Sequence, residues 1–209
     1  MNKRKALWVI PAILYTLFVV WYTDFGGPLT EAEINRYTST MRENGSDKET
    51  IEFIEGFMRG DSGRQFLMVN NIDNNDNPPP VEGAPTNASA DDLMSLYMEY
   101  MIPALLSRGC HPVLMGNAVY NSMDIVGIAG AEDWSSGALF RYRSRRDFMD
   151  IVVNPAFRGR HDFKEAALEK TVAYPIETTL YLGDPRFLLG LILLAMTALL
   201  DVFLYGRKR

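Results

Sequence analysis

Hydrophobic positions are spread unevenly along the chain. Ala6 to Tyr22 reads ALWVIPAILYTLFVVWY without a charge, and Phe187 to Tyr205 reads FLLGLILLAMTALLDVFLY with Asp201 as its one charge. A helix rises ~1.5 Å per residue, so each run is about long enough to cross a hydrocarbon core of roughly 30 Å. A core helix keeps a polar stripe for solvent, and neither run has one. Both therefore predict membrane-spanning helices, Ala6–Tyr22 and Phe187–Tyr205.

Between them the periodicity changes to that of a folded domain. Thr30 predicts an N-cap with Glu33 as its capping-box partner, followed by Ile34, Tyr37 and Met41 on one face and a stop at Asn44-Gly45. Ser46 with Glu49 predicts the start of a second helix, whose apolar face is Ile51, Ile54, Phe57 and Met58. Gln65 to Ile72 alternates as a strand. The Asn- and Pro-rich run after it has no period and reads as a loop. Asp91 or Asp92 opens a helix to Gly109, with Pro103 expected to kink its last turns. Pro112 to Tyr120 and Ser136 to Arg143 read as strands, joined by a mostly apolar connection at Ile125 to Asp133. Ser144 to Lys170 reads as helix interrupted at Asn154-Pro155, and Thr171 to Glu177 as the last strand. The expected class is α+β: a ferredoxin-like β-α-β-β-α-β domain with two leading helices, inserted between two transmembrane helices.

The flanking charges set the expected orientation. Lys3, Arg4 and Lys5 precede the first apolar run, and Arg207, Lys208 and Arg209 follow the second. Basic flanks stay in the cytoplasm, which predicts both termini inside and the central domain periplasmic or extracellular at a bacterial inner membrane. The first run followed by Trp21, Tyr22, Thr23 and Asp24 lacks the small residues of a signal-peptide cleavage site, so a retained anchor is expected. The expected divisions are 1–23 and 186–209 for the anchors with their basic tails, 24–60 for the leading helices and 61–185 for the ferredoxin-like domain. Asp201, about one turn from the end of its span, is expected to reach the interface and to be neutralised by Arg207 or Lys208.

Composition narrows the function classes. The 209 residues are 47% hydrophobic and 22% charged, with a net charge of −5. That balance fits a folded chain and disfavours nonspecific nucleic-acid binding, which needs net positive surface. A single cysteine, Cys110, excludes an intrachain disulfide. No G-x-S-x-G, P-loop, Rossmann glycine pattern or H-E-x-x-H occurs, so no cofactor is expected and catalytic residues are unknown. Two distant histidines and one cysteine do not make a metal site. The oxygen-rich run from Asn70 to Asp76 lacks EF-hand spacing and its terminal Glu, and reads as a solvated loop.

The stretch RYRSRRDFMDIVVNPAFRGRHDFKEAALEKTVAYPIE, with Tyr142-Arg143 ending a strand and a helix broken at Asn154-Pro155-Ala156-Phe157, resembles the C-terminal half of domains in the dimeric α+β barrel superfamily. It is similar in particular to an uncharacterised bacterial group near the EthD-like and NIPSNAP-like domains. GDSGRQFLMVNNI resembles that group's first strand and its lead-in. The resemblance implies pairing of the free sheet face with a second copy, hence a homodimer, and is silent on chemistry.

Four arginines fall within six residues: Arg141, Arg143, Arg145 and Arg146. Strand alternation puts Leu139, Arg141 and Arg143 on one face and Ala138, Phe140 and Tyr142 on the other. Unpaired arginines in a dry helix-covered layer are costly, so Phe140 and Tyr142 are expected to face the helices and Arg141 and Arg143 the open side. Ser144 and Asp147 fit a capping box, which leaves Arg145 and Arg146 pointing outward from a first helical turn. Two functions are then open. One is a membrane-anchored accessory or scaffolding protein whose outer domain associates with itself or with a larger membrane complex. The other is a small-ligand binder or enzyme that uses the barrel cavity, with Arg141, Arg143 and His161 as its polar groups.

Overall fold

The computed structural model describes residues 2–206, so the basic tail Arg207, Lys208 and Arg209 lies outside the described residues. The chain divides into two compact units: its two ends, through Asp24 and from Thr178, and the central stretch Phe25–Glu177.

The end unit is a pair of helices, α1 (Lys3–Tyr22) and α7 (Pro185–Tyr205), both long and apolar enough to cross a membrane. They pack antiparallel. The Arg4 guanidinium makes a two-pronged ion pair with Asp201, with Nε and Nη2 each 2.8 Å from a carboxylate oxygen. At the other end the Tyr15 hydroxyl donates to the Arg186 carbonyl at 3.1 Å. The Tyr15 ring lies where a Cβ on Gly190 would meet it at 3.2 Å, a close approach that the missing side chain permits. Asp201 is thus paired with Arg4, at the far end of the sequence; the expected partners Arg207 and Lys208 lie outside the described residues. A cavity of about 310 Å³ between α1 and α7 is lined by Trp8, Pro11, Tyr15, Gly190, Leu194 and Thr197.

The central unit opens with α2 (Glu31–Glu43) and α3 (Lys48–Arg59). Thr30 and Glu33 form the expected capping box on α2. On α3 the cap is Asp47, whose carboxylate accepts from Thr50 N–H at 2.9 Å, instead of Ser46. Next come β1 (Phe66–Asn74), α4 (Ala90–Leu106), β2 (His111–Asn117), β3 (Ser136–Tyr142), α5 (Arg145–Val152), α6 (Pro155–Ala167) and β4 (Leu168–Ile176). The sheet order is β2-β3-β1-β4 with every neighbouring pair antiparallel. This interleaving of two β-α-β units is the ferredoxin-like arrangement, as expected. Pro112 and Pro175 lie on the two edge strands, β2 and β4, where a missing N–H is tolerated.

One face of the sheet is closed by helices. Phe66 of β1 and Tyr142 of β3 stack at 5.1 Å between ring centres, and Phe148 of α5 meets both edge-on. Leu93, Tyr97, Met101 and Leu105 of α4 and Phe163, Ala166 and Ala167 of α6 complete this core. A second core joins α2 and α3 through Leu29, Ile34, Tyr37, Met41, Ile51 and Met58, with Met149 of α5 inserted. Helix α5 therefore belongs to both cores: Ile151 enters the first and Met149 the second. The arginine-rich stretch sits where the leading helices are fastened to the sheet.

Candidate functional site

The end of β3 and the start of α5 decide what the arginines do. Phe140 and Tyr142 face the helices as alternation requires. Arg141 lies on the other side of the sheet, yet it is fully buried rather than open. Its Nε donates to Gln65 Oε1 at 2.8 Å and its Nη1 to the Gly109 carbonyl at 2.5 Å. That carbonyl lies just past the C-terminus of α4, where the helix dipole favours a cation. Arg143 grips Asp147 with Nε and Nη2, both at 2.7 Å, and its backbone N–H donates to Cys110 Sγ at 3.3 Å. Burial pushes the Cys110 thiol up to about 11, which keeps it protonated and inert.

Arg145 and Arg146 do not point outward, which corrects the sequence expectation. Arg145 donates to the Phe57 carbonyl, covers the Phe57 ring at 4.5 Å, and lies 3.5 Å from Asp61 and 3.6 Å from Glu177. Asp61 is set in place by accepting from Leu29 N–H at 2.9 Å and Gly63 N–H at 3.0 Å. Gly63, with φ +74°, passes so close to Gly27 and Pro28 that a Cβ would lie 2.7 Å from their backbone. Arg146 binds Glu33 at 2.6 and 3.2 Å, and this pairing with the Thr30 cap holds the Glu33 carboxyl down at about 2. Asp150, the other acid of α5, accepts from the Tyr37 hydroxyl at 2.7 Å. The four arginines thus knit β3, α5, α2, α3 and the end of β4 into one piece.

The expected polar trio does not converge. Arg141 lies in β3 and Arg143 just past its end, whereas His161 sits on α6 in the helix layer, against the Phe157 ring at 5.2 Å and the Tyr97 ring at 6.3 Å. Its Nε2 is 3.5 Å from Glu165, and burial, with Lys164 nearby, lowers its pKa. The sheet stands between His161 and the side on which Arg141 lies. Among the described residues no three His, Cys, Asp or Glu side chains gather as a metal would require.

What stands out instead is the sheet face that, among the described residues, no helix of the central unit covers. The register aligns Leu114 of β2, Leu139 of β3, Val69 of β1 and Tyr174 of β4 in one row. The next row is Gly116, Gly137, Asn71 and Val172, and the one on the other side His111, Arg141, Leu67 and Ile176. Leu114, Val172, Tyr174 and Ile176 keep 36–58% of their surface exposed. At ~4.8 Å between strands, the Leu114–Leu139–Val69–Tyr174 row with Val172 and Ile176 beside Tyr174 makes an apolar strip across the sheet, bordered by Asn71 in one row and by the buried Leu67 and Arg141 in the other. Alternation located this face as the expected open side; α2 and α3 pack on α5 rather than beneath the sheet, which leaves it so.

No protein-family model matches the sequence, and no curated protein does. Among solved structures, a protein of unknown function from Rhodopseudomonas palustris aligns with a TM-score of 0.52 and 17% identity, over 62% of this chain and 94% of its own. A methylated form of that protein aligns with a TM-score of 0.52 and 18% identity, over 64% and 93%. A Bacteroides fragilis protein, described as dimeric with a ferredoxin-like fold, aligns at a TM-score of 0.33 and 14% identity, over 55% and 96%, too distant to carry an argument. The first likeness supports the fold alone.

Proposed function

We propose that the chain is a membrane-anchored accessory protein whose ferredoxin-like domain self-associates, or docks on a larger membrane complex, through its open sheet face. In this reading α1 and α7 span a bacterial inner membrane as an antiparallel hairpin, both termini are cytoplasmic, and the central domain stands outside. The family resemblance to dimeric α+β barrels points to the same pairing. The observation that carries the proposal is the apolar row Leu114, Leu139, Val69 and Tyr174, flanked by Val172 and Ile176 and left without a helix of the central unit over it among the described residues. Covering such side chains gains about 1.5–3 kcal/mol for each one fully buried, and soluble surfaces rarely hold them together without a partner.

The test is the mass of the full chain purified in mild detergent, by light scattering coupled to size exclusion. Wild type is expected to contain two copies, or one copy with a co-purifying complex. Tyr174→Asp with Val172→Asp is expected to release single chains, because two carboxylates would be buried unpaired. A wild-type chain that is monomeric and carries a bound small molecule overturns the proposal.

A further inference from the structure

The open face does not account for the segment Ala118–Ser135 that joins β2 to β3. It is a built hairpin arm, not a slack loop. Ala118 N–H donates to the Ser135 carbonyl at 2.9 Å and Ser122 N–H to the Glu132 carbonyl at 2.8 Å. The Ser122 hydroxyl and the Trp134 indole N–H both donate to the Ala131 carbonyl, at 2.6 and 3.1 Å, and the Asn121 amide donates to Asp133 at 2.7 Å. These bonds hold Val119, Tyr120, Met123, Val126 and Ile128 out with 64–98% of their surface exposed. An ordered arm that presents five large apolar side chains to water is an unfilled contact.

Charge says what fills it. The arm carries Asp124, Glu132 and Asp133 and no lysine or arginine. An acidic arm is repelled by anionic lipid surfaces, which attract basic segments. It leaves the sheet at the end marked by Asn117 and Ser136. At the opposite end, marked by His111, Phe66 and Tyr142, lie Arg64 and Arg108. Neither makes an ion pair with a described residue; Arg108 spends its Nη1 on the Ala104 carbonyl at 3.0 Å. Two sheets stacked by a two-fold axis along the strands would bring the two acidic arms together. An axis across the strands brings each arm to the arginine end of the other copy. The apolar area of the arm and the open face together is on the order of 1,000 Å² per copy, above the ~800 Å² per partner of a stable interface.

We infer that the arm Ala118–Ser135 seats on a second copy of the chain, its acidic apolar tip against the Arg64 and Arg108 end of the partner's sheet, with the two sheets running head to tail. This rests on the reading that the open face self-associates, and it adds the orientation and the clasp.

The experiment mixes two single variants of the full chain in mild detergent, Met123→Cys and Arg64→Cys, under oxidising conditions. Cys110, buried and protonated, does not compete. The expected product is a disulfide between position 123 of one copy and position 64 of the other, with no linkage in either variant alone. Asp124→Lys with Glu132→Lys is expected to weaken self-association about tenfold, and adding Arg64→Glu with Arg108→Glu to restore it. A disulfide in Met123→Cys alone shows arms side by side; it overturns the head-to-tail seat and leaves the open-face reading standing. A dimer that Tyr174→Asp disrupts but that shows neither link, with position 123 freely labelled, overturns the clasp alone. A monomer whose position 123 is shielded only in phosphatidylcholine vesicles makes lipid the occupant and overturns both.

Discussion

The two faces of the one sheet are built from alternate residues of the same strands, yet only one is finished by the chain that makes it. Phe66, Met68, Phe140 and Tyr142 point into a core closed by α4, α5 and α6. One residue along, Val69, Leu139 and Tyr174 form an apolar row with no helix of the central unit over it among the described residues. Both faces carry apolar residues in alternating register, so the presence of an apolar row alone does not distinguish a folding surface from an assembly surface. The distinction comes from where α2 and α3 go. Met149, Tyr37 and the arginines of α5 draw them to the side of α5, which leaves the second face without a cover of its own.

The largest test of this contrast is truncation of a side chain on the closed face. Phe66→Ala removes the ring stacked on Tyr142 and met by Phe57 and Phe148, and is expected to cost about 3–5 kcal/mol, seen as a lower urea midpoint. Tyr174→Ala, on the open face, is expected to change the urea midpoint of the single chain little and to act on self-association instead. Equal losses of stability in the two variants would erase the distinction between the faces.

Arg141 sharpens the comparison, because it stands on the uncovered side and is nevertheless fully buried. Arg141→Ala strips the hydrogen bonds from Gln65 and the Gly109 carbonyl and leaves a void at the sheet end. The expected loss is about 2–4 kcal/mol by denaturant titration, with self-association of the folded fraction retained. Were its guanidinium a ligand-binding group at an open surface, the same change would cost under about 0.5 kcal/mol.

These arginines also mark the limit of what the sequence makes legible. Element order and sheet membership follow from period and caps; Thr30 and Ser144 cap the helices that their positions predict, and the expected break at Asn154-Pro155 is the N-cap of α6. Alternation correctly turned Phe140 and Tyr142 to the helices. It did not show what encloses Arg141 or where Arg145 and Arg146 reach. Their partners lie far away in sequence: pairing of β1 with β3 and β4 brings Gln65 and Glu177 close, and the packing of α2 and α3 brings Glu33 and Asp61. Leu168 to Lys170 reads as the end of a helix, but pairing with β1 at Asn74 and Asp73 extends β4 back to Leu168. Strand β2 stops at Asn117 rather than Tyr120, and the apolar residues beyond it, which a core would bury, stand in the arm.

The smallest expected effect concerns how firmly α2 is held to α5. Glu33 accepts from the Thr30 N–H and hydroxyl at 2.9 and 2.8 Å and from Arg146 at 2.6 Å, and its carboxyl titrates at about 2 in the folded chain against an ordinary 4.5. Because the folded value is depressed, the pair stabilises fully above about pH 4.5, and the contribution is lost as pH falls toward about 2. With the Glu33 side chain a quarter exposed, solvent screening limits the effect to about 1 kcal/mol. Glu33→Gln keeps an acceptor for the Thr30 N–H and removes the charge. Denaturant titrations at pH 6 and pH 3 are expected to show a smaller difference in Glu33→Gln than in wild type, by about that amount. An unchanged difference would mean that Arg146 holds α2 by shape and not by charge, and that the acid sensitivity of the domain lies elsewhere.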